Sequence, residues 1–244
     1  MNHLSEAFRA ADPRPDPSAK RGAKKNYAES LSRHLSTAIA AALRPRFPGI
    51  MPDADGGRQE SLARSSKGFK RLDVNYSTPD LGLGLGVSIK TLNFRDQKSS
   101  RYTKNYTRID NELRAEALDY HVRQPYAVLA GVVFLPVDSC DDGKAGPSSF
   151  GQSVKIFRHR GGRDESEDSP ELFERLFVGL YDYEALVGAL PGEDSCVFFD
   201  VMDAPPKARR PRRSEVLGFD EMIAGIVQTY DLRNEPPFEW APDE

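Results

Sequence analysis

The ten residues at 126–135, YAVLAGVVFL, limit the folds open to this chain more than any other stretch. The run is apolar and carries several β-branched side chains. A strand of this kind offers no polar face to water, so it belongs at the centre of a sheet covered on both sides. The flanking segments read as helices. In residues 27–43, Tyr27, Leu31, Leu35, Ile39 and Leu43 recur at helical spacing, with Asn26 as N-cap, Glu29 as its capping-box partner, and Pro45 and Pro48 as stops. Residues 105–122 put Tyr106, Ile109, Leu113, Ala117 and Tyr120 on one face, and Gln124-Pro125 ends them. Shorter helices are expected at 148–158 and 217–230, a helical turn near 183–190, and strands at 173–181 and 195–202. Helices alternating with buried strands predict an α/β three-layer sandwich, with helices flanking a central sheet.

Residues 67–94 read as a hairpin: a strand at 69–76, a Gly- and Pro-marked turn at 77–84, and a strand at 85–92. Its antiparallel pairing makes the central sheet mixed, and part of 58–65 is a candidate extra strand. Asp73 falls mid-strand, a position that disfavours Asp. Lys90 falls mid-strand on the partner, with Ser88 two residues earlier on the same face. A hairpin therefore sets Asp73, Ser88 and Lys90 side by side. Gly82, Gly84 and Gly86 precede a strand rather than a helix, so they read as a flexible or bulged turn and not as a phosphate-cradling loop.

The formal net charge of −3 excludes a protein that is basic throughout. Locally the balance reverses. Residues 58–108 hold eleven Lys or Arg against four Asp or Glu, a surplus of seven positive charges around the hairpin. Lys70, Arg71, Arg95, Lys98, Arg101 and Lys104 are the candidate contacts to a nucleic-acid backbone. Tyr102 and Tyr106 interleave with the last of these, which fits either a DNA-contacting or a solvated loop. Residues 1–25 are polar, Pro-interrupted and increasingly basic, and are expected to form a flexible arm with at most one helical turn around residues 4–8. Residues 26–235 are expected to form one domain, and 236–244 a tail. Cys140 and Cys196 have no metal-ligand spacing, and a reducing, cytoplasmic setting is the simplest expectation. The N-terminus carries no apolar signal core, and no run of about 18 apolar residues is present, so no membrane partner is expected.

The pattern Leu72-Asp73-Val74, a turn, and Val87-Ser88-Ile89-Lys90 resembles the PD-(D/E)xK nuclease superfamily. The resemblance covers about residues 27–136, including the order αβββαβ. It implies a restriction-endonuclease-like fold and a Mg²⁺-dependent DNA endonuclease used in restriction or in defence against foreign DNA. It further implies a homodimer or higher oligomer acting on double-stranded DNA. Asp73, a second carboxylate and the Ile89 backbone carbonyl would then bind Mg²⁺, and Lys90 would orient the attacking water and face the transition state. The chain departs from the family at Ser88, where Asp or Glu is usual. A subgroup with Ser-x-Lys takes the missing carboxylate from the following helix, which here offers Asp110, Glu112 and Glu116, with Glu112 placed ahead of Glu116. Glu29 corresponds to a further metal-linked position on the family's first helix. A literal Pro79-Asp80 lies in the turn and ranks below Asp73. The alternative is a catalytically degenerate nuclease fold that serves as a DNA-binding or assembly subunit of a larger complex.

Overall fold

The structure is a computed structural model that describes residues 3–11, 13–54, 61–65, 68–79, 82–143, 146–188, 195–207 and 209–234. Five strands form one open mixed sheet: β3 (Val74–Thr78), β4 (Gly82–Thr91), β5 (Val128–Pro136), β6 (Arg175–Tyr181) and β7 (Cys196–Asp200), in that spatial order. The two edge pairings, β3–β4 and β6–β7, are antiparallel, and the two central pairings are parallel. A separate antiparallel ribbon pairs β1 (Ser61–Ser65) with β2 (Gly68–Leu72). The extra strand expected within 58–65 is β1.

All nine residues of β5 are buried, as its apolar run predicts. Val128, Ala130, Val132 and Phe134 enter one core, and Leu129, Val133 and Leu135 enter the other. The second core is roofed by α3 (Tyr106–His121) and α4 (Ser149–Phe157), which carry the crossovers from β4 to β5 and from β5 to β6. Both crossovers advance in the same direction along the sheet, so a common right hand puts both helices on one face. The other face is left to α1 (His3–Ala10), α2 (Arg21–Leu43) and α6 (Phe219–Arg233), with α5 (Tyr183–Val187) beside them.

The N-terminal segment differs from the expected flexible arm. Leu4, Ala7, Phe8 and Ala11 are buried in the first core, and Phe8 packs on Tyr181 with ring centroids 4.8 Å apart. Beyond them Arg14 donates to the Asn93 carbonyl and lies over the rings of Phe94 and Tyr183. Four apolar residues at helical spacing are enough to dock a two-turn helix when a sheet face stands open beside it. Helix α2 also begins at Arg21, so Asn26 is interior to it and the capping-box role of Glu29 falls away. The tail at 236–244 lies outside the described residues. Among the described residues no helix is long and apolar enough to cross a membrane.

Candidate active site

The expected strand at 69–76 breaks at Asp73, a bend between β2 and β3. The break has a consequence for β4. The β3–β4 ladder ends at the pair Val74–Val87, and two residues further on the Asp73 carboxylate accepts from the Ile89 N–H at 2.7 Å. Asp73 thus replaces the backbone partner that β3 no longer supplies. A strand residue directs its N–H and C=O toward the same neighbour, so the Ile89 carbonyl faces the Asp73 side too.

Side-chain alternation along β4 sends Leu85, Val87 and Ile89 into the core under α2, and turns Ser88 and Lys90 toward α3. A bulge sets this register. Tyr76 pairs with Leu85 and Ser77 with Leu83, so Gly84 is the extra residue, and Leu83 and Leu85 enter opposite cores. The Gly-rich stretch therefore acts as a bulged strand. At Gly86 a Cβ would come within 2.8 Å of a Leu72 methyl and 2.9 Å of a Leu129 methyl, so a larger residue in this part of β4 would have to displace both side chains.

The carboxylate that meets β4 is Glu116. One of its oxygens accepts from the Ser88 hydroxyl at 2.5 Å and the other from the Lys90 ammonium at 2.6 Å. Glu112, placed first among the three acids from sequence, is instead held by Arg108 at 2.5 Å and comes no nearer than 3.9 Å to Lys90. The helical repeat explains the difference. At about 100° per residue, Glu116 falls about 20° beyond Ile109, at the edge of the arc of Ile109, Leu113 and Tyr120, whereas Glu112 lies about 40° further toward the surface. That offset was available in the sequence, but the rotation of α3 over β4, which decides the acid that reaches Lys90, was not. Asp110 is removed from the site by two hydrogen bonds from Arg160, at 2.7 and 3.0 Å.

Glu29 faces the same region from α2. It lines a pocket of about 300 Å³ together with Lys90 and Glu112, but its side chain is 59% exposed and pairs with Lys25. The structure does not bring it to Asp73. Tyr120, one turn beyond Glu116, is buried, and its hydroxyl has no hydrogen-bond partner. Burial pushes this phenol well above its usual value, and the charges of Glu116 and then Asp73 push it further.

The pocket beside Lys90 shares Lys25, Ala28, Thr91 and Arg108 with a larger cleft of about 870 Å³. Arg21, Lys24 and Lys25 of α2 form one wall, and Arg95, Arg101 and Lys104 the other, with Arg108 between and Asp96 as the acid. The basic residues read as part of an arm are thus the first turns of a helix. The candidate DNA contacts are partly engaged. Arg95 pairs with Asp138 at 2.8 Å, Arg101 donates to the Pro147 carbonyl at 2.6 Å, and Lys104 pairs with Asp96 at 2.7 Å. The bond from Lys104, with further donors from the loop backbone, holds the Asp96 carboxyl down at about 2. Lys98 and Arg71 are exposed, and the Lys70 side chain lies outside the described residues, as does Asp80. Tyr102 and Tyr106 are buried in the core under α3, so neither is available to stack on a base.

Among the described residues no three His, Cys, Asp or Glu side chains are grouped to hold a metal ion unaided. Asp73, Glu116 and the Ile89 carbonyl offer oxygen donors only, a set that suits a small hard cation retaining several waters. Compared with known proteins, the chain matches no family model, no curated protein and no solved structure.

Proposed function

We propose that this protein is a Mg²⁺-dependent DNA endonuclease, with Asp73, Glu116 and the Ile89 carbonyl as cation ligands and Lys90 as the cationic catalytic residue. The observation that carries the reading is the convergence of Glu116 on Ser88 and Lys90 beside Asp73. It supplies, from α3, the carboxylate that the motif lacks at Ser88. A Mg²⁺ held by these oxygens would supply a lowered pKa for a coordinated water and a counter-charge for the phosphate. The chain's own groups do the rest. Lys90 is 17% exposed and lines the pocket that adjoins the basic cleft, where a preorganised cation favours a phosphate gaining charge. Ser88 orients Glu116, and Asp73 anchors the strand that carries Lys90. The cleft walls draw in the DNA backbone without regard to sequence. Cutting both strands requires two such sites, hence two copies of the chain.

Plasmid nicking in Mg²⁺ tests the reading. The wild-type protein nicks, and Lys90→Ala and Glu116→Ala lose activity while retaining DNA binding. Equal nicking by Lys90→Ala overturns it. The second reading, a DNA-binding or assembly subunit without catalysis, is favoured by one observation: Lys90 and Ser88 already occupy both Glu116 oxygens. Tight DNA binding by wild type, with no nicking in Mg²⁺ or Mn²⁺ at any protein concentration, selects that reading.

A further inference from the structure

Tyr120 stands out among the buried polar groups. It is 1% exposed, its ring packs in the core under α3, and a Phe would fill the same space. Its hydroxyl has no hydrogen-bond partner, which costs stability in a buried position. It sits four residues after Glu116, so both side chains lie on the face of α3 that meets β4. The charge of Asp73 also acts on it, after that of Glu116. The hydroxyl is therefore a donor held beside two carboxylates, neither of which it bonds in this arrangement: Glu116 is turned toward Ser88 and Lys90, and Asp73 toward the Ile89 N–H.

We propose that Tyr120 is a positioning residue of the cation site: as a divalent cation draws the Glu116 carboxylate toward Asp73, the Tyr120 hydroxyl donates to Glu116 and holds it in the ligand position. The inference rests on the divalent-cation reading above and adds a residue outside the motif. Carboxylate ligands are commonly fixed by a hydrogen bond from a neighbouring group, and loss of such a partner weakens metal binding by about 10-fold or more. An unpartnered buried hydroxyl beside the ligand carboxylate is what such a role requires. The donor is preorganised, and its bond forms only on binding.

The test is Mg²⁺ titration by calorimetry of wild type and Tyr120→Phe, with the melting temperature of each recorded without metal. The expected result is a Tyr120→Phe protein that melts no lower than wild type without metal yet binds Mg²⁺ about 10-fold more weakly. Equal affinity in the two proteins overturns the inference and leaves the nuclease reading intact. Failure of wild type to bind Mg²⁺ overturns the nuclease reading itself, and the inference with it. A Tyr120→Phe protein that does not fold is replaced by the full-length chain carrying 3-fluorotyrosine at position 120. Its fluorine resonance shifts saturably with Mg²⁺ if the hydroxyl gains a partner, and an unmoved resonance overturns the inference.

Discussion

Two carboxylates in this molecule gather basic groups around them, and their surroundings set them apart. Glu174, just before β6, is fully buried. It accepts from the Leu129 N–H and from Arg163, with His121 at 3.3 Å and Arg233 at 3.6 Å. Those partners come from α3, α6 and the loop that precedes β6, so the cluster ties three parts of the chain to the start of β5. Glu116 meets Lys90 and Ser88 on β4, with 28% of its side chain exposed, and Lys90 lines a pocket that adjoins a cleft lined by seven cations. A sealed ion network has no access for a ligand and serves the fold. A part-exposed carboxylate beside a charged cleft can exchange its partners for a ligand.

The comparison breaks most readily at Glu174. Glu174→Ala leaves Arg163 buried without its partner and lowers unfolding free energy by about 3–5 kcal/mol, read by urea denaturation. A loss below about 1 kcal/mol would show that the sealed cluster is not a fastener. At the open site the ranking inverts. Glu116→Ala lowers Mg²⁺-dependent nicking by about 100-fold or more, with a stability change of only about 1–2 kcal/mol. A variant that loses both together places Glu116 with Glu174 as a structural group.

Acid sharpens the contrast. Burial pushes the Glu174 carboxyl up, but His121, the Leu129 N–H and Arg163 outweigh it, so its folded value lies below the ordinary 4.5. The stability it contributes is present above that pH and is lost as pH falls through the folded value. Wild type therefore loses more stability between pH 5 and pH 3 than Glu174→Gln, measured by urea titration at each pH; parallel curves refute the assignment. The smallest effect belongs to the cleft. Replacing Arg21, Lys24 and Lys25 by Ala flattens the salt dependence of duplex binding by about 0.9 in log–log slope for each phosphate that is no longer neutralised. An unchanged slope removes α2 from the interface.

Some of this was legible before any coordinates. The run at 126–135 has no polar side, so the burial of residues 127–135 between two helical layers follows from the residues alone, although Tyr126 at its start is exposed. The apolar face of α3 follows from the 3.6-residue period, and β4 from the alternation that puts Ser88 and Lys90 together. The docking of α1 was not legible. Leu4, Ala7 and Phe8 make a short apolar stripe among Pro and charged residues, and only an open sheet face gives that stripe something to cover. The second wall of the cleft escaped for a related reason. Arg21, Lys24 and Lys25 carry no apolar pattern, and they line the cleft only because α2 crosses the sheet face near the end of β4.

By itself, then, the sequence determined the layered α/β architecture and the pairing of an Asp with a Ser-x-Lys strand, because period and polarity are local properties. Tertiary structure decided which acid completes that pair. Glu112 and Glu116 are one turn apart on the same helix, and the rotation of α3 over β4, set by how Ile109, Leu113, Ala117 and Tyr120 pack, brings Glu116 to Lys90 and leaves Glu112 with Arg108. It also turned Asp73 from a mid-strand residue into the bend that holds Ile89, since a carboxylate can replace a strand's backbone partner only where that strand has ended.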